Sequence, residues 1–207
     1  MTNDPAMAAR HYALAVPTAP PGSEVPERAV FSALLAGDYG LAAGLSRRAA
    51  DAGSQAGLVR LTLAADAISR GKPEAAFEVI EASDLHLFNK VIGRSLQAWS
   101  LAAAEGPQAS EDWLKRSLTG DPRLDSITLH TVGLIQTSAR KDADALRTFD
   151  AIWATGARLA AGAETYAELL AASGDKEKAL AVLSQFRDEV GYNAALATLE
   201  ARIISGE

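Results

Sequence analysis

The sequence predicts an all-α fold of antiparallel helix pairs, on three observations. Hydrophobic residues make up 48% of the chain but aromatics only 6%, and alanine dominates the apolar fraction, which favours closely spaced helices over a sheet rich in β-branched and aromatic side chains. Apolar residues recur at helical spacing on both sides of glycine-containing turns, most clearly in YAELLAASGDKEKALAVLSQF at 166–186. There Tyr166, Ala167, Leu169 and Leu170 share one periodicity, Gly174 can leave the helix with φ > 0, and Ala179, Leu180 and Leu183 resume the pattern. Ala167 and Ala179 carry side chains too small to hold the two helix axes apart, so the pair can pack closely. The third observation is that this arrangement returns along the chain at a nearly constant interval.

Stepping back from Gly174, the equivalent turn positions are Arg140, Glu105 with Gly106 beside it, Gly71, Gly37 and Asn3, at intervals of 34 or 35 residues. In this register the small residue of the first helix of each pair falls on Val30, Ala64, Ala98, Gly133 and Ala167. That of the second helix falls on Ala8, Ala42, Ala76, Ser110, Ala145 and Ala179, so Val30 alone is not Ala, Gly or Ser. The apolar residue of the second helix is Tyr12, Ile80, Leu114, Phe149 and Leu183; Ser46 breaks the series, with Leu45 beside it.

These residues resemble the tetratricopeptide repeat (TPR), whose motif has a small residue in helix A (Ala167), a hydrophobe three later (Leu170), and a small residue (Ala179) and a hydrophobe (Leu183) in helix B. The sequence departs from the motif at Ala163 in the slot usually held by Trp, at Phe186 in the second small slot of helix B, and at Gly191 in place of the closing Pro. The Ala-rich, acidic character looks like bacterial members of the family. The resemblance implies an α-solenoid, a right-handed superhelix of antiparallel helix pairs.

Proline and glycine punctuate the elements in order. The expected helices are 5–16, 25–36, 39–52, 56–70, 73–83, 87–104, 109–119, 125–139, 142–155, 160–173, 176–188 and 192–204. Pro5, Pro73 and Pro107 open B helices and Pro26 lies in the first turn of an A helix, where a missing N–H costs nothing. Pro17, Pro20, Pro21 and Pro122 are expected in connections. The domain expectation is a single array over 1–207, with complete repeats 23–54, 57–88, 91–122, 126–157 and 160–191 and half-repeats 1–20 and 192–207. A half-repeat must carry a polar outer face or meet a missing partner, so the chain is read either as a segment of a longer array or as one closed by capping helices.

Several function classes are excluded at this level. A net charge of −6 and the lack of any Lys/Arg run argue against nucleic acid. There is no cysteine, hence no disulfide framework, thiolate metal site or thiol nucleophile. His11, His86 and His130 share no metal-site spacing, and no HExxH, GxxxxGK[ST], GxSxG or GxGxxG occurs. Asp142/Asp144 and Glu74/Glu78 are read as first-turn carboxylates favouring the helix dipole. The chain is therefore expected to be non-catalytic, without cofactor or metal. No run is long and apolar enough to span a bilayer, so as given it reads as soluble and cytoplasmic, or periplasmic if a signal peptide precedes it.

The family's mapping lines a concave groove with helix A residues facing away from helix B. Carried onto this register, it gives Glu27, Phe31 and Leu34, then Leu61, Ala65 and Ile68, then Ser95, Trp99 and Ala102, then His130, Leu134 and Thr137, then Glu164, Glu168 and Ala171. The implied groove has an apolar ladder of Phe31, Leu61, Trp99 and Leu134, with Glu164 and Glu168 at its acidic end. It suits an apolar or amphipathic helical segment better than a highly charged peptide. The alternative for Phe31 and Trp99 is packing between repeats. The Lys/Asn/Arg clamp of chaperone-binding members is not matched, since Phe31, Ala65, Trp99, Leu134 and Glu168 stand along one such row. The expected function is a protein-interaction scaffold. The alternative is the substrate-recruiting segment of a larger enzyme or regulator. Partner identity and oligomeric state are not encoded in any motif.

Overall fold

Four of the five expected turns within the described residues close in the same way. Gly37, Gly71, Arg140 and Gly174 adopt positive φ (72°, 67°, 59° and 90°), and each donates its N–H to the carbonyl three residues back, while the next residue donates to the carbonyl five back, as in Asp175 N to Leu170 O at 2.9 Å. Two otherwise orphaned C-terminal carbonyls are thereby satisfied at each turn. Arg140 alone does this with a side chain, at a steric cost glycine avoids.

A computed structural model describes residues 4–20 and 22–206. Among them are twelve α-helices, one short 3₁₀ turn at Val16–Thr18, and no strand. The chain forms two compact units, 1–110 and 111–207. The first holds α1 (Pro5–Ala15), α2 (Val25–Leu35), α3 (Tyr39–Asp51), α4 (Gly57–Ser69), α5 (Pro73–Glu81), α6 (Leu87–Ala104) and the start of α7 (Pro107–Arg116). The second holds the rest of α7, α8 (Pro122–Ser138), α9 (Asp142–Ala154), α10 (Ala160–Ala172), α11 (Lys176–Glu189) and α12 (Ala194–Ser205). Sequential helices pack as pairs: α2 on α3, α4 on α5, α8 on α9 and α10 on α11.

Side-chain oxygens fix where helices start. Asp4, Asp38, Asp175 and Asn193 cap their own helices. α4 has no cap of its own and takes one from α2, Glu27 Oε1 accepting from the Leu58 N–H at 3.3 Å. Glu27, expected in the groove, is thus occupied in joining two pairs.

The small-residue register is visible as burial. Val30, Ala64, Ala98, Ala167, Ala42, Ala76, Ser110, Ala145 and Ala179 are all fully buried. Ser110 also uses its hydroxyl, which donates to the Ala98 carbonyl at 2.6 Å and ties α7 to α6. In α1 the buried alanine is Ala9 and not Ala8. At the third turn the left-handed residue is Gly106 (φ 97°), not Glu105; Pro107 then starts α7 directly. Pro122, expected in a connection, is the first residue of α8. Asn3 and Pro21 lie outside the described residues.

Among the described residues the core falls into three clusters. One joins α1, α2, α3 and Val59 of α4; a second joins α4 and α5 around Leu61, Ala64, Ala76, Ile80 and Leu85; the third, in the second unit, joins α9 to α12 around Phe149, Tyr166 and Phe186. Glycine at 133 follows from the third. A Cβ there would stand 2.8 Å from the Phe149 ring, so α8 and α9 approach more closely than alanine would allow.

Candidate functional site

The residues of α4 explain why a groove opens beside it. Val59 and Ala64 are buried in the core, whereas Leu58, Leu61, Thr62, Ala65, Asp66, Ser69 and Arg70 form a second face at helical spacing, which lines a hollow of about 630 Å³. Leu34 of α2 and Ile92 and Leu96 of α6 supply its flanks, and Tyr39, Gly40 and Ala43 of α3 its remaining edge. This volume falls within the range of ordinary binding clefts. Its hydroxyls are largely spent within α4: Thr62 Oγ1 donates to the Leu58 carbonyl (2.8 Å) and Ser69 Oγ to the Asp66 carbonyl (2.8 Å). The result is an open trough with an apolar floor.

Its charge is concentrated at one place. Asp66, whose side chain is 16% exposed, accepts from Arg47 Nη1 through Oδ2 at 2.6 Å and from Arg70 Nε through Oδ1 at 3.0 Å. Two guanidinium groups therefore share one carboxylate.

Of the expected groove residues, Leu34, Leu61 and Ala65 line this hollow together. Leu61 is mostly buried in its floor, and Phe31 stands 53% exposed, three residues before Leu34 on α2. Ser95 and Trp99 are half-buried on α6 and do not line it; Ser95 Oγ donates weakly back to the Val91 carbonyl at 3.4 Å. Ile92, Leu96, Tyr39 and the Arg47–Asp66–Arg70 cluster were not singled out from sequence. Ile92 and Leu96 carry the one signal that could have found them, an apolar pair four residues apart one turn before the expected row.

In the second unit the expected residues are placed differently. His130 and Leu134 on α8 pack against the core: the His130 ring meets Phe149 edge-on at 5.9 Å, and its Cδ2 lies 3.3 Å from where a Cβ on Gly162 would stand. Burial pushes the His130 pKa below the ordinary histidine value, with a hydrogen bond to the Ala161 backbone opposing the shift, and Nε2 has no hydrogen-bond partner among the described residues. A base held neutral this way contributes stability above the ordinary histidine range, and that stability is lost as pH falls from there toward the lowered folded-state value. Urea melts of wild type between pH 7.5 and 5 are thus expected to lose stability over a limb that a His130→Gln variant lacks. Glu164 is half-buried and Glu168 exposed. Glu168 borders a second hollow of about 410 Å³ with Ala171, Leu199, Arg202 and Ile203, its carboxylate 4.0 Å from Arg202.

Among the polar clusters of this unit, two involve aromatic side chains. Asp150 accepts from the Tyr166 hydroxyl and, at 2.7 Å, from Lys178 Nζ. Burial alone would raise the Asp150 pKa, but the bonds from Lys178 and Tyr166 outweigh it and hold the carboxyl below its usual range. Trp153 donates its indole N–H to Gln185 at 2.8 Å, and the Arg158 guanidinium lies 4.1 Å over its ring while pairing with Glu189 at 3.0 Å. Each joins neighbouring helices. No group of three metal-ligating side chains occurs among the described residues, and no described helix is long and apolar enough to cross a membrane.

No family model matches the sequence, and no curated protein does. Among solved structures the fold is similar to that of PilF from Pseudomonas aeruginosa, with a TM-score of 0.52 over 98% of this chain and 85% of that one, at 18% identity. At this identity the likeness speaks for the fold alone. Together with the twelve helices and the recurrent turns, it shows a TPR-like helical-repeat fold of the α-solenoid class.

Proposed function

We propose that the chain is a non-catalytic protein-interaction scaffold that holds a partner's amphipathic helix or extended segment in the trough of its first unit. The reading rests on one observation: an open apolar hollow on α2, α3, α4 and α6 that keeps Tyr39 73% exposed at its edge, with Phe31 exposed nearby on α2. Large apolar side chains kept in water beside a preformed groove are where binding energy concentrates. Within the proposal, repeats 23–54, 57–88, 91–122, 126–157 and 160–191 form one array with half-repeats 1–20 and 192–207. Leu61 lies in the trough's floor and Phe31 is an exposed contact beside it on α2, with Ser95 and Trp99 of α6 flanking them. His130, Leu134, Glu164 and Glu168 belong to the corresponding helices of the second unit, the first two spent largely on packing.

A displayed library of random peptides, panned against the full chain, tests this. Binders with apolar residues at i, i+3 or i+4, and i+7 are expected. A Phe31→Ala, Tyr39→Ala double variant should keep the far-UV circular dichroism of wild type, because both side chains are exposed, and should weaken these binders at least about tenfold. Binders that hold equally well to the double variant would place recognition elsewhere on the chain.

A further inference from the structure

Hydrogen-bonding capacity in the trough is lopsided. Thr62 and Ser69 are committed to α4 carbonyls, and both oxygens of Asp66 are engaged, one by each arginine. Arg70 uses only its Nε in that contact and Arg47 only one terminal nitrogen, and their side chains are 54% and 42% exposed. Arg70 and Tyr39 line the trough, and the terminal guanidinium nitrogens of Arg70 and the Tyr39 hydroxyl meet no acceptor among the described residues; Arg47, bonded to the same carboxylate, lies outside the lining. Locally the cluster carries one excess positive charge, on a chain whose net charge is −6.

We infer that the segment held in the trough is an amphipathic helix of a partner protein that carries an Asp or Glu beside its apolar face, its carboxylate received by the guanidinium group of Arg70. This deepens the scaffold reading and rests on it. An apolar segment without an acceptor would cover guanidinium donors and return nothing for their lost hydration, whereas a carboxylate fits their planar fork in charge and geometry. A basic residue at the same place would meet the excess positive charge of the cluster. The acid thus sets the orientation of the helix, and the apolar floor supplies the area.

Panning the same random library against wild type and against Arg70→Glu tests the inference. Wild-type binders should be enriched in Asp or Glu at one fixed offset from their apolar residues, and Arg70→Glu should weaken them about tenfold or more while selecting Lys or Arg at that offset. Unchanged circular dichroism, expected for a half-exposed arginine, shows that the variant folds. Binders lost in the Phe31→Ala, Tyr39→Ala variant but showing no acidic preference and no response to Arg70→Glu would overturn the inference and leave the scaffold reading standing. Binders indifferent to both variants would remove both.

Discussion

Phe149→Ala is expected to destabilise the second unit by about 3–5 kcal/mol, as full truncation of a buried aromatic does. The ring is 2% exposed, stacks on Tyr166 at 6.0 Å and 21°, and receives the edge of His130 at 5.9 Å. The backbone has yielded to it at Gly133, where a Cβ would come within 2.8 Å of the ring. Residues of α8, α9 and α10 thus converge on one side chain, and truncation leaves a void that helices held by neighbouring pairs cannot fully close. Contacts between the rings add roughly 0.5–1.5 kcal/mol beyond area. Phe149→Leu, which keeps most of the volume, should cost about half as much. Urea denaturation followed by far-UV circular dichroism measures both, and a loss below about 1 kcal/mol for the alanine variant would contradict this packing.

The second large effect is polar. Glu111 of α7 has a side chain only 4% exposed and accepts from Gln136 Nε2 at 2.9 Å, Lys141 Nζ at 3.1 Å and Lys115 Nζ at 3.4 Å. Gln136 in turn accepts from the Thr148 hydroxyl at 2.8 Å, so α7, α8 and α9 share one network. Glu111→Ala leaves the buried Gln136 amide without this acceptor and takes the carboxylate from Lys115 and Lys141, at a cost of about 2–3 kcal/mol. The figure is held below that of a fully buried pair because both lysines reach solvent. Burial alone would raise the Glu111 pKa, but the bonds from Gln136 and Lys141 lower it below the usual glutamate range. Its contribution is therefore present above the unfolded-state value and lost as pH falls through the lower folded-state value. Wild type should lose this stability on acidification, while Glu111→Gln should start less stable and show a shallower acid limb. Parallel acid limbs in urea melts would show that the carboxylate is not coupled to folding.

Much of the fold was legible because its determinants are local. Prolines at helix starts, glycines at helix ends and alanines where helices cross each act within a few residues, which is why 39–52, 87–104, 160–173 and 176–188 match α3, α6, α10 and α11 to within a residue. The register slipped where two local signals competed. At the third turn the alanine spacing points to Glu105, yet the backbone needs its left-handed residue at Gly106, directly before Pro107. The site was less legible, because a groove depends on which face of each helix remains after packing. Leu61 and Ala65 could be read from the period of α4, but α6 is 18 residues long and presents Ile92 and Leu96, one turn earlier than the row containing Ser95 and Trp99. The pairing of Arg70 with Asp66 is an i, i+4 contact visible in the sequence. That of Arg47 with Asp66 spans a turn between two helix pairs and exists only in the folded chain.

Methyl NMR of the full chain, titrated with a peptide selected by panning, tests the central claim most directly. The account predicts that the methyl signals of Leu34, Leu61, Ala65, Ile92 and Leu96 shift together and saturably, while those of the buried core alanines Ala145 and Ala179 stay in place. Saturable shifts on other surfaces, with these five residues unmoved, would contradict it.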